Sequence, residues 1–182
     1  MKKEKNMLEL FLNEPSKHWH FEELLNTAKI SRPQAVLWLK EFLKKNLILK
    51  MKPKKKMPYY VANVNHSSYR IKKRVFALTQ LEKTGFLNHL AQLPKAKAVI
   101  LFGSLSRWDW HKDSDVDIFI YGDAEGFDYG FYRRTLHREI QLLECKDAQE
   151  LNHLSKGLLR NIFEGYRIRG FLDVEVKAHA HT

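Results

Sequence analysis

Apolar residues in the first third of the chain recur at helical spacing in three stretches. The first stretch, residues 8–12, predicts a helix that ends near Glu14, because the residue before a proline avoids the α region. A second short helix is predicted over residues 21–28. Ser31 has the chemistry of an N-cap and begins a third predicted helix, which runs to about Lys45. The N-terminal third is therefore predicted to be mainly helical.

The third helix has a predicted core side, and an extended pattern follows it. The apolar residues predicted to face the core are Ala35, Val36, Leu39, Phe42 and Leu43. Two strand-like runs come next, residues 47–51 and 59–64, joined by a lysine-rich loop with a proline near each end. Three helices and a basic hairpin are the element order of a winged helix-turn-helix. Residues 1–65 resemble that superfamily in this pattern alone.

The rest of the chain predicts a helical connector and then a mixed domain. Within the connector, residues 66–95, one apolar stripe is predicted to face the core: Ile71, Val75, Leu78 and Leu81. The strand-like runs of the mixed domain cover residues 97–105, 115–122, 138–144 and 171–176. One amphipathic helix over residues 151–163 precedes the last of them. Strands flanked by helices in this order indicate an α+β domain.

Composition narrows the class of protein. The single cysteine, Cys145, cannot form an intramolecular disulfide, which excludes a secreted disulfide scaffold and indicates a reducing compartment. The basic start of the chain lacks the uninterrupted apolar core of a signal peptide, and no segment approaches the roughly 20 apolar residues of a membrane span. We therefore expect a soluble, cytoplasmic protein that does not enter a membrane.

The formal net charge of +11 is divided unevenly along the chain. Residues 1–97 carry 21 Lys and Arg against 7 Asp and Glu, a charge of +14, whereas residues 98–182 carry 11 against 14, a charge of −3. The basic half suits a polyanionic partner such as duplex DNA, and the acidic half suits a hard cation. A lysine-rich surface that is simply solvated is the alternative for the first half.

Two short motifs carry the chemistry of the second half, Gly103-Ser104 and Asp115-Val116-Asp117. The aspartates open a predicted strand, where alternation places both on one face about 7 Å apart, so that they can share Mg²⁺ or Mn²⁺. The Gly-Ser turn lets backbone N–H groups and the Ser104 hydroxyl approach a triphosphate. An isolated Asp-x-Asp would indicate only an acidic turn. The combination of both motifs therefore carries the interpretation.

The stretch VILFGSLSRWDWHKDSDVDIFIYG, within residues 96–170, resembles the nucleotidyltransferase superfamily that includes DNA polymerase beta, and most closely its minimal nucleotidyltransferases. The resemblance implies a polymerase-beta-like domain with a small mixed sheet, a two-metal Mg²⁺ site and a nucleoside triphosphate such as ATP as substrate. The residues it implies for the nucleotide are Gly103, Ser104, Arg107 and Ser114, and those for the metals are Asp115 and Asp117. For Arg107, a plain surface arginine is the alternative.

Two departures from the family pattern affect this interpretation. Trp108 stands where the pattern has a glycine and Trp110 follows, so both are predicted to pack against the connector, with stacking on a base as the alternative. The family's third carboxylate position falls on Gln141, whose amide cannot accept the proton of an attacking hydroxyl. Glu139, two residues earlier on the same strand face, is the candidate base, and a surface glutamate without a catalytic role is the alternative.

The N-terminal module offers candidate residues for contacts with DNA. They lie on the third helix and the hairpin loop: Arg32, Gln34, Lys44, Lys52, Lys54, Lys55 and Lys56. Because Glu41 on the exposed side of that helix repels phosphate, we predict phosphate-dominated binding through the loop, with modest sequence discrimination. Docking of a protein partner through this module is the alternative.

The predicted architecture is a winged helix-turn-helix (1–65), a helical connector (66–95) and a nucleotidyltransferase domain (96–182). The predicted function is Mg²⁺-dependent transfer of a nucleoside monophosphate from a triphosphate to an acceptor, coupled to DNA binding. Minimal nucleotidyltransferases often act with a helical partner in toxin–antitoxin pairs, so the resemblance makes a protein acceptor plausible; a homodimer stays open. The rival is a DNA-binding transcriptional regulator or antitoxin whose second half is a nucleotide-binding or dimerisation module, which Gln141 favours.

Overall fold

The structure is a computed structural model that describes the backbone of residues 2–172 and the side chains of residues 7–172. The chain divides into two compact units. Unit 1 consists of Met1–Val75 with Trp110–Lys112, and unit 2 consists of Phe76–Asp109 with Asp113–Thr182. Within the described part of the chain, no helix has both the length and the apolar composition needed to cross a membrane.

Unit 1 contains the three helices and the hairpin that the apolar pattern predicts. Its elements are α1 (Lys2–Asn13), α2 (Phe21–Ala28), α3 (Arg32–Lys44), β1 (Ile48–Met51) and β2 (Tyr59–Ala62). The two strands pair antiparallel, and Trp19 forms a bridge with Tyr60 that places one more extended segment beside β2. The buried rings of Phe11 and Trp19 meet edge to face at 6.4 Å and form part of the core of this unit.

The core side of α3 is narrower than predicted. Ala35, Leu39 and Phe42 are buried, but Val36 is 57% exposed, so the prediction that Val36 belongs to the core is wrong. The three buried residues lie close to one line along the helix, because their spacing is i, i+4 and i+7. Val36 is rotated by about 100° from Ala35 and falls beyond the edge of that line.

The connector helix, α4 (Ser67–Lys83), buries only part of the predicted apolar stripe: Leu81 is buried, which confirms its assignment to the core, and Leu78 is partly buried. Ile71 and Val75 are 63% and 54% exposed, so their assignment to the core is wrong. In the same turns of the helix the buried side chains are those of Tyr69 and Lys73. In this part of the helix the apolar residues Ile71 and Val75 therefore lie on the solvent side.

Polar-tipped side chains define the buried side of α4 within unit 1. The Tyr69 hydroxyl donates to the backbone carbonyl of Phe11 at 2.9 Å. The Lys73 ammonium lies 4.5 Å from the centroid of the Trp110 ring, and both side chains are buried. The contact of Trp110 with the connector helix agrees with the prediction. Long side chains with one polar end can be buried in this way, which average hydropathy does not reveal.

Unit 2 is built on a four-stranded mixed sheet. Its elements after α4 are α5 (Phe86–Ala91), β3 (Ala96–Phe102), α6 (Gly103–Ser106), β4 (Val116–Gly122), α7 (Tyr129–Leu136), β5 (Ile140–Cys145), α8 (Ala148–His153), α9 (Lys156–Phe163) and β6 (Tyr166–Arg169). The strand order is β5-β4-β3-β6; β4 and β5 are parallel, and the other two neighbouring pairs are antiparallel. The small mixed sheet fits the α+β domain predicted for this half.

The end of unit 2 differs from the prediction in two respects. The single helix predicted over residues 151–163 is two helices, because Leu154 is extended and the Ser155 hydroxyl accepts from the backbone N–H of Leu158 to begin α9. The last described strand is β6, which pairs with β3. The predicted strand over residues 171–176 is not formed at its first two residues, and its other residues lie outside the described part of the chain.

Candidate active site

The Gly-Ser turn and the two aspartates lie at the same edge of the sheet. Gly103 directly follows β3, and the antiparallel register pairs the last residue of β3, Phe102, with Asp117. Gly103 has a φ of +69°, a conformation that favours glycine. A β-carbon at this position would also overlap the Asp117 carboxylate. Both conditions explain why a residue without a side chain lies beside the carboxylates.

Asp115 and Asp117 are partly buried at the start of β4, with Val116 fully buried between them. Burial raises the pKa of Asp117 above its ordinary value, and the charge of Asp115 raises it further, whereas Arg107 opposes both effects. The two carboxylates therefore repel each other in a partly desolvated place. A cation between them would relieve that repulsion.

Gln141 occupies the position across from the aspartates on β5. The parallel register pairs Asp117 with Gln141, and the Gln141 side-chain amide donates to Asp115 Oδ2 at 2.7 Å. At this position of β5 the structure therefore places an amide against Asp115. A side-chain amide donates this bond but cannot act as a proton acceptor at neutral pH.

Glu139 lies immediately before β5, and its backbone carbonyl accepts from the Val116 N–H at 2.9 Å. Its carboxylate does not contact the aspartates; it accepts from Arg133 Nε at 2.8 Å and from the Tyr129 hydroxyl at 3.5 Å. The Arg133 guanidinium lowers the pKa of Glu139 below its ordinary value, and the side chain is exposed. Glu139 therefore lies beside the site, immediately before β5, with its carboxylate bonded to Arg133 and Tyr129.

The other predicted nucleotide residues lie around the same edge. Ser104 is in the short α6 helix directly after Gly103. Arg107 donates from two nitrogens to the carboxylate of Asp109, at 3.1 and 3.0 Å, and this bond raises the pKa of Arg107. The backbone carbonyl of Ser114 accepts from the Arg138 guanidinium. To bind a triphosphate, Arg107 would have to share its guanidinium with Asp109.

A cleft of about 280 Å³ opens beside Asp115 in unit 2. Its lining residues are Asp113, Asp115, Arg133, His137, Arg138 and Glu139. Arg138 was not among the residues predicted from the sequence. Burial lowers the pKa of Arg138, whereas the charges of Asp113 and Asp115 raise it. The parallel pairing of β4 and β5 brings Arg138 to this place, and a sequence pattern does not reveal which strands are neighbours.

Residues 86–168 match the family model described as Polymerase beta, Nucleotidyltransferase. The match supports placing this segment in the polymerase beta nucleotidyltransferase superfamily. It contains both motifs and the strands β3, β4 and β5 that bring them together. No curated protein and no solved structure matches the chain.

The donor set of the segment that matches the family model is compatible with Mg²⁺ held jointly by protein and nucleotide. Among the described residues, no three or more His, Cys, Asp or Glu side chains are grouped so as to hold a metal by themselves. Two carboxylates, Asp115 and Asp117, meet at the site. Mg²⁺ is commonly held by one or two carboxylates together with substrate phosphates, so this pair is sufficient if a triphosphate supplies the remaining oxygens.

The residues predicted to contact DNA all lie in unit 1, and several already have partners. Arg32 donates to Glu22 at 2.7 Å, and the Gln34 side chain accepts from the backbone N–H and hydroxyl of Ser31, which confirms the capping box. Lys44 is exposed near the end of α3. The loop lysines are exposed as well: Lys52, Lys54, Lys55 and Lys56. The loop thus presents more uncommitted charge than the start of α3 does.

Proposed function

We propose that unit 2 transfers a nucleoside monophosphate from a nucleoside triphosphate to an acceptor, with release of pyrophosphate. The observation that carries the proposal is the meeting of the Gly103-Ser104 turn with Asp115 and Asp117 across the β3–β4 pair, inside a segment that matches a nucleotidyltransferase family. Phosphoryl transfer needs little more from a protein than positioning and charge stabilisation. This edge of the sheet offers groups suited to both.

In this proposal the roles follow from the placement of each side chain. Asp115 and Asp117 would hold Mg²⁺, or Mn²⁺ in its place, and the metal would supply positive charge to the attacking and leaving oxygens. The backbone at Gly103 and the Ser104 hydroxyl would position the phosphates, with Ser114 beside them. Arg107 would contribute charge to the triphosphate by sharing its guanidinium between the substrate and Asp109.

The reaction also requires an acceptor hydroxyl and a base that removes its proton. The acceptor hydroxyl attacks the α-phosphorus, the bond to the β-phosphate breaks, and the hydroxyl proton needs a base. Glu139 is the candidate, but it would first have to leave Arg133, whose bond also weakens it as a base by lowering its pKa. A protein acceptor, including a helical toxin partner, fits the resemblance to minimal nucleotidyltransferases.

A second candidate function is favoured by the bond between Gln141 and Asp115. If that amide keeps the site from activating an acceptor, unit 2 would bind nucleotide without turnover and would act as a sensor or dimerisation module of a regulator. Unit 1 would then carry the output, as a winged helix-turn-helix that contacts duplex DNA mainly through the lysines of the hairpin loop. The charge of +14 on residues 1–97 supports a polyanionic partner in either case.

Incubation with Mg²⁺ and each α-labelled nucleoside triphosphate, with cell extract as the source of acceptors, tests the main proposal. We expect a covalently labelled acceptor and stoichiometric pyrophosphate, both absent when a chelator replaces Mg²⁺. Nucleotide binding by calorimetry without label transfer would support the regulator. The absence of both nucleotide binding and label transfer would contradict both functions.

A further inference from the structure

Unit 1 contains an open cavity of about 510 Å³ between the segment after α1 and the hairpin loop, which comprises residues 52–58. Its lining residues are His18, His20, Pro53, Lys54, Lys56, Met57 and Tyr59. The lining combines three aromatic rings with two lysines, and none of the lining residues is acidic.

The bridge between Trp19 and Tyr60 positions the aromatic rings that line the cavity. The backbone N–H and carbonyl of Trp19 exchange two hydrogen bonds of 2.8 Å with Tyr60, and the Trp19 side chain is buried. In an extended segment neighbouring side chains alternate between faces, so His18 and His20 lie on the face opposite Trp19. There they flank Tyr59, the residue before Tyr60.

The rings are held in a defined arrangement. His18 stacks on Tyr59 with centroids 4.0 Å apart and planes inclined by 16°. His20 meets the same ring edge to face at 6.3 Å, and its Nδ1 donates to the carbonyl of Pro58 at 3.1 Å. Because His18 is exposed, the ring face turned away from Tyr59 can receive another flat ring.

We propose that this cavity binds one unpaired nucleotide of a nucleic acid strand, with its base stacked on His18 and its phosphate held by Lys54 and Lys56. Aromatic rings beside cations suit this ligand, because a base has a flat face and its phosphate is anionic. In a duplex the bases are paired and stacked on their neighbours, so the nucleotide must be unpaired, as in a single-stranded overhang. The inference rests on the nucleic-acid binding proposed above for unit 1.

The test compares the full chain on two fluorescein-labelled DNAs, a blunt duplex and the same duplex with a short single-stranded overhang, by anisotropy at one salt concentration. We expect the overhang to bind about tenfold more tightly, which is the scale of one base–aromatic stack. His18→Ala should remove this preference and leave blunt-duplex affinity unchanged. His18→Phe should restore it, because the ring is retained.

The outcomes separate this inference from the proposal on which it rests. Equal affinity of the wild type for both DNAs, or a preference that survives His18→Ala, would overturn the cavity while leaving duplex binding intact. No binding to either DNA would overturn both. A free nucleoside monophosphate offers the same base and phosphate, so AMP is added as competitor. Displacement of the overhang by AMP at equal concentration would assign the cavity to a free nucleotide and reject the strand.

Discussion

The two units use charge in different ways. In unit 1 the loop lysines are exposed, and their effect on a polyanion depends mainly on how many of them there are. In unit 2 two carboxylates are partly buried at alternate positions, Asp115 immediately before β4 and Asp117 within it, and a side chain in place of Gly103 would overlap Asp117. Their effect depends on position. A salt titration should therefore distinguish the units, because screening weakens the first kind of interaction much more than the second.

The largest effect is expected from removing the two carboxylates of unit 2, Asp115 and Asp117. In Asp115→Asn/Asp117→Asn, Mg²⁺-dependent binding of triphosphate should be lost, since neutral amides cannot replace two carboxylate ligands. Calorimetry with Mg²⁺ and then with chelator measures the effect, and Glu82→Gln, an exposed change in unit 2, is the control. Equal binding by the wild type in chelator would reject the assignment of the metal site.

The next largest effect is expected from removing lysines of the hairpin loop. Lys54→Ala/Lys55→Ala/Lys56→Ala should weaken duplex DNA binding by up to about 10²-fold at moderate salt and flatten the log–log salt dependence by about 0.9 for each lost phosphate contact. All DNA sequences should be affected alike, as measured by anisotropy across a salt series.

A matched variant separates position from number within unit 1. Lys40→Ala/Lys45→Ala/Lys112→Ala removes three exposed lysines outside the hairpin loop and changes the net charge equally. Its affinity should fall much less if the loop contacts the phosphates. Equal losses of DNA affinity in the two triple variants would mean that the net charge of the protein, and not the number of loop lysines, determines binding. A salt-insensitive wild-type interaction would indicate protein docking instead.

The contrast between the units also explains what the sequence could predict. The spacing of Asp115 and Asp117 was sufficient to predict that both lie on one face, because alternation along one strand is a local property. The position of Asp117 beside the Gly-Ser turn depends on the antiparallel pairing of β3 with β4. The bond from Gln141 to Asp115 depends on the parallel pairing of β4 with β5, which no local pattern specifies. The bond from Arg133 to Glu139 depends on how the chain passes from α7 into β5. In unit 1 the order of elements was predictable for the same local reason. The buried side of α4 around Lys73 was not predictable, because hydropathy does not identify a lysine buried against an aromatic ring.

A smaller effect tests whether position alone limits catalysis at the site. If Gln141 occupies the general-base position and Glu139 stays bonded to Arg133, Gln141→Asp should increase transfer by about tenfold or more, because it places a proton acceptor next to Asp115. Glu139→Gln should leave the rate within about twofold, since that carboxylate is bonded to Arg133. Single-turnover measurement of label transfer checks both variants. A loss of about 10²-fold in Glu139→Gln would instead identify Glu139 as the base, and no turnover in the wild type or in Gln141→Asp would favour the regulator.

The smallest effect is on stability and follows from the raised pKa of Asp117. A carboxyl whose pKa is higher in the folded than in the unfolded protein favours folding when protonated, and that contribution is lost as pH rises through the folded-state value. At neutral pH the ionised Asp117 therefore opposes folding, and Asp117→Asn should raise the Tm of unit 2 by about 2 °C without ligand. The gain should vanish near pH 3, where the carboxyl is protonated in both states. Calorimetric scans at the two pH values check this, with Glu82→Gln as the charge-matched control. An unchanged or lower Tm in Asp117→Asn at neutral pH would mean that the carboxylate is already compensated, and the stored repulsion that a cation would relieve would not exist.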